Sequence, residues 1–533
     1  MTLRGRLFTG SVWVLTSQIV VQAMSVLVTI ILARYLGNTA DESAHLLGKY
    51  FIFTSLATVL AQLAALGLHV ALPKLVAEFR VLRPERTGRV ASSGLGITLL
   101  SSIILAVAYF LVADYVALHI YGDEALAALL RLSAPAVVFT AVSIFALSLL
   151  QGLHRLREYS LVAMAFSVLS VPITWILVLN PEVFLLPSSL VGAGVAAVLN
   201  LALHTVGVLY VARRAARLDS VPLHLSVDRA QARTLLGLST PAFFSVLLLR
   251  MAVLYQTSVI FLVLGDLLTG VWKITGAFYR LILYIPAALA IPLLPAMSEL
   301  YVTERPGERR VKVTRILRTT MVIVLPACLV AGLGAQYLID FLFGRTYLTN
   351  GSLYATFILS VAAFFDAVSL VVISLLQGTG RTKRALAFDT LQAAVIFSLT
   401  FVLFSQIFLS LSPETGLLAA AGVTLLNAGV LFVAALAYLA RRAEVDLRAL
   451  GDLLGLAITA FGVAGIVVLL LGNPVYLPLA ALTLAAVFYV GFRLLDATDR
   501  EILWDSVLFF RPRRLRNPPG QSDGEAPANP GHR

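Results

Sequence analysis

The same series of hydrophobic segments occurs twice in this 533-residue chain, in the same order and the same orientation. Leu149-Leu150-Gln151-Gly152-Leu153-His154-Arg155 closes one apolar segment, and 226 residues later Leu375-Leu376-Gln377-Gly378-Thr379-Gly380-Arg381 closes another. Tyr210-Val211-Ala212-Arg213-Arg214-Ala215 is answered by Tyr438-Leu439-Ala440-Arg441-Arg442-Ala443. Upstream, Gly48-Lys49-Tyr50 and Leu72-Pro73 are spaced like Gly270-Val271-Trp272 and Leu294-Pro295. Each half holds six apolar segments, so both halves face the membrane the same way. A parallel repeat of two helical bundles is one architecture of secondary transporters, with the substrate site between the bundles.

Composition places the chain in lipid independently of the repeat. Hydrophobic residues make up 59% and charged residues 13%, about half the charge of an ordinary soluble domain. Apolar stretches of roughly 20 residues predict fourteen spans: about 11–36, 49–73, 91–118, 126–151, 159–180 and 185–211; then 235–264, 268–298, 315–343, 350–377, 385–409 and 415–440; and a final pair, 450–472 and 474–497. Backbone groups in lipid must bond internally, and no barrel-like alternation is present, so these spans are helices. The expected fold is an all-α integral membrane protein of about fourteen transmembrane helices. Its parts are a first lobe over 1–234, a second over 235–448, an unrepeated helix pair over 449–497 and a disordered cytosolic tail over 498–533. Arg4 and Arg6 precede the first span, which reads as a signal anchor rather than a cleaved peptide.

Loop charges set the orientation. Alternate loops carry Arg80, Arg83, Arg86 and Arg89; Arg155 and Arg157; Arg213, Arg214, Arg217, Arg229 and Arg233; Arg305, Arg309, Arg310, Lys312, Arg315 and Arg318; Arg381, Lys383 and Arg384; and Arg441, Arg442 and Arg448. The intervening loops carry Asp41, Glu42, Asp123, Glu124, Glu182, Asp266 and Glu414, with Lys49 and Arg345 as the main basic exceptions. Basic loops stay cytoplasmic, which predicts a multi-pass protein of the cytoplasmic membrane with both termini inside. The net charge of +12 is spread over these short loops, not gathered in a basic domain, so nucleic acid is not an expected partner. Cys328, the single cysteine, allows no internal disulfide. No phosphate loop, metal-protease motif or Cys/His metal spacing is present, so no cofactor or metal is expected and ATP-driven pumping within this chain is excluded. Short outer loops leave no room for an enzyme's globular portion. Membrane lipids are expected around the chain, which reads as a monomer.

The candidate site residues are charges within spans. Arg250 falls near the middle of the seventh span, Lys273 and Arg280 share a face of the eighth, and Asp366 lies midway along the tenth. Such charges cost at least about 2.5–3.5 kcal/mol at the bilayer centre and turn toward cavities or partners. One arginine can pair with Asp366 to fix helix packing, but three bases exceed one acid. The excess suits an anion, and the planar guanidinium suits phosphate in particular. Lys273 lies close enough to the outer surface to snorkel. Gln18 and Gln22 on the first span, and Gln62 with His69 on the second, are either inter-helix bonds or cavity lining. Arg34 and Lys49 flank the first outer loop, as anchors or an entrance rim. Pro135, Pro172, Pro241, Pro286, Pro292, Pro295 and Pro326 interrupt spans, and the three in the eighth suggest a bent helix beside the site.

Leu32-Ala33-Arg34-Tyr35-Leu36-Gly37 followed by Gly48-Lys49-Tyr50 resembles a motif of the multidrug/oligosaccharidyl-lipid/polysaccharide exporter superfamily, and Gln151-Gly152 to Arg157 resembles the loop after that family's fourth helix. Within it the chain is most similar to the polysaccharide transporters, flippases for polyprenyl-linked oligosaccharides. The Asn38–Leu47 loop is longer than is usual there. The resemblance implies two lobes in a V, a cationic lumen that receives a lipid-linked glycan headgroup, a groove at helices thirteen and fourteen for the lipid tail, and glycan-assembly proteins as partners. Three alternatives remain: a lipid II-type flippase, whose arginines also cluster in its first two helices; a multidrug exporter, which usually carries an acid in its first helix; and a non-transporting scaffold.

Overall fold

A computed structural model describes residues 3–303, 306–379, 381–402, 412–470 and 475–494. The expected tail over 498–533 lies outside the described residues. Among them the chain is helical throughout: α1 (Leu3–Tyr35), α2 (Ala40–Ala65), α3 (Leu68–Leu82), α4 (Pro84–Tyr115), α5 (Ala125–Gly152), α6 (Leu156–Leu179), α7 (Ser189–Leu218) and α8 (Arg229–Thr303) are followed by α9 (Pro306–Leu333), α10 (Ala335–Leu342), α11 (Asn350–Gly378), α12 (Thr382–Val402), α13 (Pro413–Arg441), α14 (Leu447–Leu469) and α15 (Tyr476–Leu494).

Among the described residues twelve helical stretches are long and apolar enough to cross a membrane, and Tyr476–Gly491 is a shorter apolar helix. One of the twelve, Phe243–Ala287, is 45 residues long, twice what a bilayer needs. It is divided at Gly265, whose φ of 84° and ψ of 176° break the helical path. The two arms of α8 are therefore the seventh and eighth spans. With that division the described helices match the fourteen expected segments.

Helix starts depart from the expected boundaries for local reasons. The anticipated Asn38–Leu47 loop is mostly helix, because Thr39 caps α2 by accepting from the Glu42 N–H and Asp41 and Glu42 occupy the first turn, where acidic side chains favour the helix dipole. The second span is split between α2 and α3 at Leu66 (φ 48°) and Gly67 (φ 72°). Pro135, Pro172 and Pro326, by contrast, sit inside continuous helices, and the helix also runs on through Pro286.

Loops from alternate connections gather at opposite ends. At one end Lys49 Nζ lies 2.7 Å from Asp123 and 4.0 Å from Asp266, and His45 lies 2.6 Å from Asp266; we call this the acidic face. At the other, Arg155 Nη2 lies 2.8 Å and Arg80 Nη2 3.4 Å from Asp219, while Arg381 Nη1 lies 2.8 Å from Glu444; this is the basic face. The last two pairs explain the repeated Gln-Gly motif. In each lobe the arginine four residues after the glutamine reaches an acid just past that lobe's sixth helix, and its N–H bonds back to Leu150 or Leu376. Asp219 holds the Arg155 guanidinium above its ordinary value, chiefly through hydrogen bonding.

The apolar core also divides between the faces. Near the acidic face one continuous cluster joins both lobes, with Leu32, Leu36 and Leu47 packed among Val271, Trp272, Phe343 and Tyr347. Toward the basic face each lobe has its own core. Leu72, Val76, Phe145 and Leu149 belong to the first, joined by Leu235 from the start of α8. Leu317, Val324, Phe364 and Val371 belong to the second, which α14 and α15 extend.

Candidate functional site

Seal and site are both built where α2 and α8 face each other. Gly48 and Gly270, equivalent in the sequence repeat, pack reciprocally. A Cβ on Gly48 would stand 2.0 Å from the Asp266 carbonyl oxygen, and one on Gly270 would stand 2.3 Å from that of Ala44. Both Gly48 to Gly270 and Ala44 to Asp266 are offsets of 222 residues, so the crossing is two-fold symmetric about the lobe interface. Backbone meets backbone there only because neither glycine has a side chain.

Around this crossing the acidic face is closed by polar contacts between the lobes. Arg34 donates from Nε to the Leu342 carbonyl at 3.0 Å and from Nη2 to that of Phe341. The Tyr347 hydroxyl donates to the Ala33 carbonyl at 3.0 Å, and Tyr121 and Ser258 share a 2.7 Å bond. Arg34 and Lys49, candidates for an entrance rim, lie within this closure: Arg34 ties the end of α1 to α10, and half-buried Lys49 holds Asp123.

Below the seal, three cations face the gap between lobes. Lys273 does not snorkel outward; its Nζ sits 4.4 Å from the Phe51 ring centroid on α2, a cation–π contact. Arg280, two turns further along the same face, donates from Nη2 to the Lys273 carbonyl at 3.3 Å. Arg250 lies on the other arm of α8, along the stripe of Phe243 and Phe261. Phe243 abuts Gly67 of the first lobe, and the Phe261 ring lies 5.5 Å from that of Tyr121. Arg250 is exposed to the gap and lies within coulombic range of His69. It and Arg280 are each fifteen residues from Gly265, so they sit at one depth, about 22 Å from the turn at 1.5 Å per residue.

Asp366 is 6% exposed and pairs with neither arginine. Its Oδ2 accepts from the Tyr279 hydroxyl, and its Oδ1 has no hydrogen-bond partner. Among the described residues no carboxylate lies within salt-bridge distance of Arg250, Lys273 or Arg280. The ion-pair reading is therefore replaced by a phenol–carboxylate bond between the second arm of α8 and α11. Sequence reasoning missed Tyr279 because a tyrosine among apolar neighbours carries no charge to mark it. Gln18, Gln22 and Gln62 are half-buried, and no hydrogen bond among the described residues joins them to the basic cluster. No group of three metal-ligating side chains occurs among the described residues.

A family model described as "Polysaccharide biosynthesis protein" matches residues 7–301. No curated relative matches the chain by sequence. Among solved structures, the lipid II flippase MurJ in an inward closed conformation is similar with a TM-score of 0.66 and 12% identity, over 92% of this chain and 99% of that one. An inward-facing multidrug resistance MATE family transporter of the MOP superfamily gives 0.62 and 16%, over 79% and 95%. A MOP superfamily transporter from Pyrococcus furiosus gives 0.57 and 15%, over 82% and 95%. At these identities the likeness is one of fold.

Proposed function

The chain belongs to the polysaccharide biosynthesis protein family, and we propose that it is a MOP-superfamily transporter, not an enzyme, that flips a polyprenyl-(pyro)phosphate-linked oligosaccharide across the cytoplasmic membrane. The observation that carries this reading is the set of three cations turned to the inter-lobe gap with no carboxylate in salt-bridge distance among the described residues. Positive charge held at this depth between the lobes suits a mobile anion, and paired guanidinium donors match phosphate oxygens. Neutralising the phosphate there lowers the cost of carrying it through the low-dielectric middle of the bilayer.

If the basic face is cytoplasmic, the closed acidic face corresponds to a state loaded from the inner leaflet. The phosphate enters between the lobes and meets Arg250 and Arg280 at equal depth, while the glycan fills the gap and the lipid tail stays in the bilayer. Parting of α2 from α8 at the glycine crossing, with closure toward the basic face, then presents the headgroup outside. The Tyr279–Asp366 bond couples movement of α8 to α11.

The test is headgroup translocation of a polyprenyl-pyrophosphate oligosaccharide in proteoliposomes, comparing wild type with Arg250→Ala, Arg280→Ala and Arg280→Glu. Transport by wild type with loss of at least tenfold in each variant is expected. Equal transport by all four would discard the site, and no transport by any would discard the substrate class.

A further inference from the structure

The offset of 222 residues that relates Gly48 to Gly270 also relates Phe51 to Lys273. Each lies three residues past its glycine, one turn further into the membrane. The 4.4 Å contact between the Lys273 ammonium and the Phe51 ring therefore joins two equivalent positions of the repeat, directly beneath the backbone crossing. In the first lobe this position is a phenylalanine, 8% exposed; in the second it is a lysine. An ammonium facing the apolar cluster that joins the lobes gives up hydration that an aliphatic side chain would not, so packing alone does not account for it.

One and two turns further in, the same two helices line the gap. Gly276 and Arg280 have Thr54 and Thr58 as their equivalents in the first lobe, and Thr58 is exposed. Both threonines donate to their own helix, to the Phe51 and Thr54 carbonyls at 3.0 and 2.7 Å, so neither binds the cations opposite. Arg280 runs back along its helix over Gly276, where a Cβ would stand 3.5 Å from Nη1, and its charge comes into coulombic range of Lys273. The Phe51–Lys273 contact is thus the boundary between the closed acidic face and the cationic site. Arg280 repels the ammonium from one side, and the negative face of the ring attracts it from the other.

We propose that Phe51 is a positioning residue that holds Lys273 on the first lobe while the site is empty, and that phosphate arriving at Arg280 draws the ammonium off the ring and so releases α2 from α8. The inference rests on the flippase reading and adds to it how an occupied site is told from an empty one. A phosphate oxyanion offers Lys273 charge-assisted hydrogen bonds, which outweigh the attraction of a ring face. The flexible stem of lysine lets the ammonium change partners, but it cannot serve both at once, since the ring lies toward the seal and the phosphate toward Arg280. The anion therefore binds more tightly to the state in which the contact is broken, which is what a ligand requires in order to shift a conformational equilibrium. Loading from the basic face then favours opening of the acidic face, the order that outward flipping needs.

Full-length protein spin-labelled at Asn38→Cys and Arg345→Cys, exposed positions on the two lobes, reports the closure by double electron–electron resonance. Inorganic pyrophosphate is the probe, and its binding is followed by calorimetry. Replacing Phe51 with a trifluorinated phenylalanine nearly keeps the shape of the ring and removes most of its negative face, a change that a purely structural role would not register. Wild type should move from a short distance to a longer one when pyrophosphate is added. Without pyrophosphate the fluorinated protein should already populate the longer distance about tenfold more than wild type, and Phe51→Tyr should behave as wild type. Lys273→Met should lose the response while still binding pyrophosphate through the arginines. A fluorinated protein that matches wild type in distance and response overturns the inference, as does a wild type that binds pyrophosphate with no change in distance. In either case headgroup transport by wild type leaves the flippase reading standing. A wild type that neither binds pyrophosphate nor transports overturns both.

Discussion

Adding one methyl group at Gly48 should shift the whole transport cycle. The new Cβ of Gly48→Ala would stand 2.0 Å from the Asp266 carbonyl oxygen, where ordinary contact begins at 3.4 Å. Both groups are fixed by helix backbone, so no rotamer relieves the clash, and α2 and α8 must part by about 1.4 Å. Overpacking of this kind costs about 1–3 kcal/mol, and only the state with the acidic face closed bears it. The equilibrium should therefore move about 5- to 150-fold toward an open acidic face. Spin labels at Asn38→Cys and Arg345→Cys, one exposed residue on each lobe, would report it by double electron–electron resonance; native Cys328 is fully buried and escapes labelling. Wild type should show one dominant short distance, and Gly48→Ala a second, longer one with slower transport. Gly270→Ala should act alike, but the double variant should fall short of the sum, because one separation relieves both clashes. Unchanged distances together with unchanged transport in Gly48→Ala would refute the reasoning.

Gly67→Ala should destabilise the protein by about 1–3 kcal/mol, since Gly67 combines φ 72° with a Cβ position 2.6 Å from the Ser239 carbonyl; a fall in thermal midpoint is the measurement. Arg155→Ala leaves the largely buried Asp219 with Arg80 alone and should cost about 1–2 kcal/mol, whereas Arg155→Lys should recover part of this in the same melt. For Asp366, Asn should preserve the bond from Tyr279 and the fold, while Ala lowers the melting temperature. Tyr279→Phe leaves both carboxylate oxygens without a partner and should be as harmful as Asp366→Ala. A variant with Tyr279→Phe as stable as wild type would show that the bond does not hold α8 to α11.

The candidate site was partly legible in the sequence. Arg250, Lys273 and Arg280 stand out because a charge in an apolar run is rare whatever surrounds it. Contacts do not stand out: Tyr279 is unremarkable in sequence, and Arg155 and Arg381 show as repeat-motif and loop charges but not as the ion-pair partners of Asp219 and Glu444, although those acids follow them at nearly the same interval. Arg34 illustrates the limit further. Its position between two spans suits a rim or an anchor equally, and only α10, more than 300 residues away, makes it part of a seal.

The sequence by itself determined the fourteen spans, the two-lobe repeat and the alternation of charged loops, because lipid allows each segment one solution and span, length and loop charge are local quantities. Tertiary structure decided the break at Leu66 and Gly67, the crossing of Gly48 with Gly270, the Tyr279–Asp366 bond and the contact of Lys273 with Phe51. Each of these depends on how two helices distant in sequence approach one another. Within the bilayer that approach is set by close packing and hydrogen bonding between particular side chains, not by hydrophobicity, and apolar periodicity carries no record of it.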